Sequence, residues 1–159
     1  MEEMRAYDLR KRTYTVDFPP TLVRSSQQKK IGMINGHATL FTPKKTARSL
    51  KHLAGALIMA GIGEIPPTAN VPVAVTIELW YNAPKASLRG GWKTTKPDAD
   101  NLAKSIIDCI TKSNAVWADD SQVSSLTVQK KFLAEKNEEP HIDITFEYLA
   151  CDNSRGRNN

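Results

Sequence analysis

Four aspartates stand in two close pairs, Asp98 with Asp100 and Asp119 with Asp120, on either side of a run of helix-forming residues. Carboxylate oxygens are the ligands that hard divalent cations prefer, and Mg²⁺ is commonly held by one or two carboxylates with water and substrate phosphate. Lys104 follows Asp100 by four residues and Asp108 follows Lys104 by four, so the three share one polar helix face. Each feature has an ordinary alternative. Asp-x-Asp-Asn opens many helices, and Asp-Asp before a strand is a common turn. Lys104 could simply pair with Asp100 or Asp108 at helical spacing, worth about 0.3–0.5 kcal/mol.

The elements that must position these groups are legible in the same stretch. Lys96-Pro97 reads as extended chain entering a turn, because proline restricts the residue before it and is rarely found inside a helix. Asp100 suits the N-cap of a helix whose apolar face is Leu102, Ile106, Ile107 and Ile110. The helix is expected to end near Lys112–Asn114, with the chain returning through Val116 and Trp117 to the second acidic pair.

The combination resembles the RusA family of Holliday junction resolvases, small endonucleases often carried by phages and prophages. The matching residues are Asp98, Asp100, Asn101, Leu102, Lys104, Asp108, Trp117, Asp119, Asp120, Gln122 and Val123. By position, the resemblance implies metal ligation by Asp98, Asp100 and Asp120, with Lys104 assisting catalysis. Asn101, Asp108 and Asp119 are candidates to support the ligands from behind, Asp119 equally to fix the turn. The resemblance further implies Mg²⁺ as cofactor, with Mn²⁺ substituting, four-way or branched DNA as substrate, and a homodimer that places two symmetric nicks. One departure is visible. Where the family's first strand is commonly followed by Pro-Pro-Ser-x-Asn, this chain reads Pro19-Pro20-Thr21-Leu22-Val23-Arg24 and lacks the asparagine.

With 159 residues, 40% hydrophobic and 25% charged, the chain has the size and composition of one globular domain. Residues 1–12 read as a loose extension, 13–149 as the nuclease-like domain and 150–159 as a disordered polar tail. Thr13–Phe18 alternates as a strand, stopped by Pro19-Pro20. Thr21–Leu40 reads as a long loop with some extended chain. Thr42 at N-cap and Pro43 at the first position open a helix with Leu50, Leu53, Ala54 and Leu57 on its core face, closed by Gly61 or Gly63. Val71–Tyr81 is the clearest strand, and Gln122–Leu133 is strand-like with spacing that suggests a bulge. His141–Leu149 alternates cleanly, after a turn at Asn137–Glu139. The order is β-α-β-α-β-β, an α+β fold with two helices packed on a mixed sheet. The last two strands are expected to pair as a hairpin.

The net charge of +5 is unevenly spread. Phe18–Gly63 contains no acid, and its helix carries Lys44, Lys45, Arg48 and Lys51. Ala83–Lys96 is likewise acid-free and carries Lys85, Arg89, Lys93 and Lys96 around Trp92, the best placed of the three tryptophans to stack on a base. Segregated basic charge favours a polyanion such as DNA, the alternative being a solvated face. A non-enzymatic DNA-binding module would explain the cations but not the carboxylates, which repel phosphate in the absence of metal. A nuclease acting on flaps or gaps would explain both. Phosphatases of the haloacid-dehalogenase type place Asp-x-Asp after an apolar strand, whereas Lys96-Pro97 precedes this one. Sugar-nucleotide transferases that use Asp-x-Asp are usually larger.

His37, His52 and His141 have no mutual metal-ligand spacing. Cys109 falls beside the helix's apolar face and Cys151 in the polar tail, so burial of the first and no disulfide are expected. The sequence contains no apolar run of membrane-spanning length and its start lacks the pattern of a signal peptide. A cytoplasmic protein is expected.

Overall fold

The computed structural model describes residues 11–25 and 29–149. Six strands and two helices follow one another as β1 (Arg12–Val16), β2 (Lys30–Ile34), β3 (His37–Phe41), α1 (Lys44–Met59), β4 (Val73–Tyr81), α2 (Ala99–Lys112), β5 (Val123–Phe132) and β6 (His141–Tyr148). Four of the strands form one mixed sheet in the order β1-β6-β4-β5. The expected architecture, two helices and a mixed sheet in one α+β unit, is the one observed.

Strict alternation explains β4. Val73, Val75, Ile77, Leu79 and Tyr81 are buried, while the residues between them are only partly covered. On β6, Ile142, Ile144 and Phe146 face the same core. Leu53 and Leu57 of α1 and Leu102, Ile106 and Ile110 of α2 close it. Each fully buried leucine or isoleucine contributes about 1.5–3 kcal/mol, so α2 is fixed by its apolar face while its polar face stays free for chemistry. Cys109 is buried as expected, and burial pushes its thiol up to about 11.

The strand pairing corrects the expected hairpin of the last two strands. β5 runs parallel to β4, and β6 lies antiparallel between β4 and β1. β4 is the most regularly apolar strand, and a place beside it buries more surface than a terminal hairpin would. The bulge is present: Val73 pairs with Val123 but Ala74 with Ser125, which leaves Ser124 as the extra residue.

A second correction concerns Thr21–Leu40, read as a loop. It contains an antiparallel hairpin, β2 with β3, turned at Asn35-Gly36 with φ of 51° and 79°. Asn-Gly is the pair that a tight hairpin turn with two positive φ values favours. Ile31, Met33 and Leu40 lie exposed on one face of this hairpin.

Smaller differences lie at the element ends. β1 begins at Arg12, inside the stretch read as an extension, and α1 begins at Lys44 with Pro43 rather than Thr42 in the N-cap position. Residues 1–10 of the expected extension and the tail from 150 onward lie outside the described residues. Among the described residues, no helix is long and apolar enough to cross a membrane.

Candidate active site

The second acidic pair stands on a turn assembled largely from neutral contacts around a buried tryptophan. Trp117 is fully buried, its indole N–H donates to the Thr111 hydroxyl at 2.8 Å, and its ring meets Phe146 edge-on at 5.9 Å. Val116 before it has φ of 68°, a region that costs a β-branched residue roughly 1–3 kcal/mol. Its carbonyl accepts from the Thr68 N–H, the Thr68 hydroxyl and the Tyr148 hydroxyl at 3.1–3.2 Å, contacts that hold this conformation. Asp119 then caps the single 3-10 turn Asp120–Gln122, accepting from the Ser121 N–H at 2.8 Å. The Gln122 amide oxygen accepts from the Ala118 and Asp119 N–H groups, and its NH₂ donates to the Val71 carbonyl at 3.0 Å. Asp119 therefore fixes the turn, and its hydrogen bonds from Ser121 hold its carboxyl below the usual range. Asp120 is left exposed at the turn's first position.

The first pair is positioned differently. Phe132 donates its N–H to the Gly91 carbonyl and Lys93 donates its N–H to the Lys130 carbonyl, so residues 91–93 lie along the outer edge of β5. Lys130 then reaches forward, its ammonium donating to the Thr95 and Pro97 carbonyls at 2.8 Å each. Pro97 follows a cis peptide bond. The helix α2 starts one residue later than that proline's neighbour: Asp98, not Asp100, occupies the N-cap, and Asp100 lies in the first turn. Both residue types suit a cap, but the Asp98 carboxylate makes no capping hydrogen bond. It takes the Lys96 ammonium instead, at 2.8 Å, with the two side chains 49% and 85% exposed. That hydrogen bond and charge hold the Asp98 carboxyl below its usual range and raise Lys96.

The Asp120–Gln122 turn packs against α2, the helix that Asp98 and Asp100 open, so both acidic pairs stand on or against one helix. Among the described residues no three Asp, Glu, His or Cys side chains are gathered closely enough to hold a metal ion. The Asp100 and Asp120 carboxylates are exposed and, among the described residues, take no hydrogen bond or ion pair. Lys104 lies 3.4 Å from Asp108, the simple helical pair that its spacing allows. Beside Asp98 opens a cleft of about 430 Å³, with Val23, Arg24 and Ser25 on one wall and Lys96, Asp98 and Asn101 on the other.

The Endodeoxyribonuclease RusA family profile matches residues 18–147. A crossover junction endodeoxyribonuclease rusA of Lactococcus phage r1t is 32% identical over 133 residues, covering 83% of this chain and 94% of that protein. The chain belongs to the RusA family.

The RusA-like residues thus divide by role in the fold. Leu102 and Trp117 are core, Gln122 and Asp119 brace the turn, and Asp98, Asp100, Lys104 and Asp120 reach solvent. The cationic candidates divide as well. Lys44, Lys45, Arg48 and Lys51 are exposed along α1, and Lys85 and Arg89 flank an exposed 3-10 turn at Ala86–Leu88. Lys93 is turned inward, its ammonium 5.2 Å from the Tyr81 ring centre and bonded to the Thr95 hydroxyl, and burial lowers its pKa. Trp92 is 62% exposed, with the Lys131 ammonium 5.3 Å from its ring centre. Lys131 also pairs with Glu78 at 2.8 Å and lies 5.1 Å from the Trp80 ring. Two residues at the site were not among the expected site residues, Lys130 as the clamp on the loop before Asp98 and Arg24, known only as a cation of the acid-free Phe18–Gly63 segment, as one wall of the cleft. Only the register of β5 beside β4 reveals the first, and only the folding-back of the Pro19-Pro20 segment the second.

Proposed function

We propose that this chain is a metal-dependent endodeoxyribonuclease that resolves four-way DNA junctions in recombination and repair, acting in the cytoplasm as a homodimer. The observation that carries the reading is RusA-family membership together with the two acidic pairs standing on or against α2: Asp98 and Asp100 at the helix start, Asp120 on a turn in contact with the helix. The name of the phage relative, a crossover junction endodeoxyribonuclease, supports junction DNA as the substrate.

In type, exposed carboxylates suit a hard cation such as Mg²⁺ or Mn²⁺, and holding one requires them to draw closer than they stand in this structure. The Asp100 and Asp120 carboxylates are exposed and without hydrogen-bonded partners among the described residues, and Asp98 pairs with a solvent-exposed lysine that can be displaced. Asp98, Asp100 and Asp120 would hold the ion, and when bound it supplies a polarised phosphoryl oxygen and a more acidic water. Lys104 presents a cation one turn into the helix, where it offsets negative charge that builds on the phosphoryl oxygens during attack. Its pairing with Asp108 limits where the ammonium can swing. The exposed cations of α1 and of the loop through Lys85 and Arg89 bind the DNA backbone, and Trp92 offers a ring for stacking. A closed twofold dimer presents two identical sites, the geometry that two nicks in strands of like polarity need.

The test is purified protein with Mg²⁺ or Mn²⁺ on a four-way junction, beside linear duplex, flap and gapped DNA. Paired symmetric nicks in the junction alone, abolished by chelation, are expected. A mixed dimer of wild type and Asp120→Asn should nick one strand and leave its counterpart intact. Preference for flaps or gaps, or full activity from a monomer, would replace junction resolution with a broader structure-selective nuclease.

A further inference from the structure

The loop after β1 departs from the family's Pro-Pro-Ser-x-Asn pattern, and the structure shows where its residues lie. Val23, where the pattern has asparagine, is buried in the core and offers no polar group to a ligand. The next residue, Arg24, is exposed at the cleft beside Asp98 and has no ion-pair or hydrogen-bonding partner for its side chain among the described residues. Its main chain is fixed between the two helices. The fully buried Ser105 hydroxyl of α2 donates to the Arg24 carbonyl at 2.8 Å, and the Ser49 hydroxyl of α1 donates to the Leu22 carbonyl. A 3-10 turn at Pro20–Leu22 with Pro20 buried completes the support. A long cation on so firm a base is well placed to hold one position of an extended anionic ligand.

We propose that Arg24 grips a backbone phosphate of the substrate strand, next to the phosphodiester presented to Asp98, and so sets the register of that strand in the site. This rests on the nuclease reading above. The cleft carries Arg24 and Lys96 against the single carboxylate of Asp98, with Asn101 as a neutral donor or acceptor. Its volume of about 430 Å³ lies in the range of roughly 300–1,000 Å³ typical of ligand sites. Guanidinium matches phosphate through two parallel N–H bonds, a geometry that lysine cannot reproduce.

The experiment measures junction binding with cleavage disabled by Asp120→Asn. A series of junctions carries one uncharged methylphosphonate each, moved phosphate by phosphate along one strand. With Arg24 present, one position should weaken binding by roughly ten- to a hundredfold, the loss expected for a charge-assisted contact. In Arg24→Gln that same position should become indifferent, and the slope of log K against log salt should fall by about 0.9. Arg24→Lys should restore the slope but only part of the position-specific effect. An Arg24→Gln protein with an unchanged slope and an unchanged methylphosphonate profile would overturn the proposal. Both variants keep the carbonyl that Ser105 holds, and unchanged melting curves would exclude a folding defect as the cause. Failure of the wild type to cut junctions counts against the nuclease reading instead, because the binding profile needs no cleavage.

Discussion

The two acidic arms of the site are built by opposite means. The Trp117–Gln122 arm is held by a buried indole, three donors on one strained carbonyl and a side-chain amide that bonds three main-chain groups. None of those bonds involves a charged side chain, although the Asp119 carboxylate adds a charged cap to the same turn. The Lys96–Asp100 arm is held by ammonium groups, Lys130 on two carbonyls and Lys96 on the Asp98 carboxylate. Neutral bonds respond little to salt and to anionic ligands, whereas exposed charge pairs are screened and open to competition. One arm therefore presents Asp120 on a fixed mount. The other can exchange Lys96 for a stronger cation without disturbing the helix beneath it.

The largest expected effect breaks both arms alike. Asp98→Asn, Asp100→Asn and Asp120→Asn should each lower single-turnover junction cleavage by more than about a hundredfold, because loss of groups merely supporting a metal ligand already costs about 10–100-fold. Folding and junction binding should persist, and near-normal cutting by any of the three would remove that residue from the site. Next in size, Lys130→Met should lower cleavage by roughly 10–100-fold through misplacement of Asp98, with little change in junction affinity. Lys130→Arg should recover part of the rate, since a guanidinium can still donate to both carbonyls. Equal loss in the two variants would mean that Lys130 does not position Asp98. The smallest effect distinguishes the mounts. Gln122→Ala should cost about 1–3 kcal/mol of stability in urea denaturation, and the cost should be the same at low and high salt because the lost bonds are neutral. A cost that shrinks with salt would contradict the contrast between the arms.

How far the sequence reveals this site follows the same division. The apolar face of α2, the burial of Cys109 and the helical pairing of Lys104 with Asp108 all follow from 3.6-residue spacing, a purely local rule. The turn at Asp119 follows from its residue types. The Asn35-Gly36 hairpin was also written locally, but Ile31, Met33 and Leu40 lie exposed on one face, so the flanks lack the usual burial that marks strands. Lys130 is different in kind. Within Gln129-Lys130-Lys131 nothing distinguishes the lysine that clamps the loop from the one that pairs with Glu78. Parallel pairing with β4 decides it, setting Lys130 beside the core-facing Leu79 and Lys131 beside Trp80 on the opposite face. That register is a long-range fact, as is the place of β6 between β1 and β4. The N-cap shows a finer limit. Asp98 and Asp100 are equally good caps by type, and the chain starts the helix at the one whose carboxylate is taken by Lys96.

The central claim is that two arms of different construction make one metal site, and metal binding itself tests it without reliance on cleavage. Mn²⁺ titrated into the DNA-free protein, followed by the loss of its free-ion electron paramagnetic resonance signal, reads occupancy directly. Asp98→Asn and Asp120→Asn should each weaken binding at the same site by more than about tenfold, and the double variant should lose little more than either one. Wild-type Mn²⁺ affinity in Asp120→Asn, or strictly additive losses in the double variant, would show that the braced arm and the charge-held arm do not share an ion.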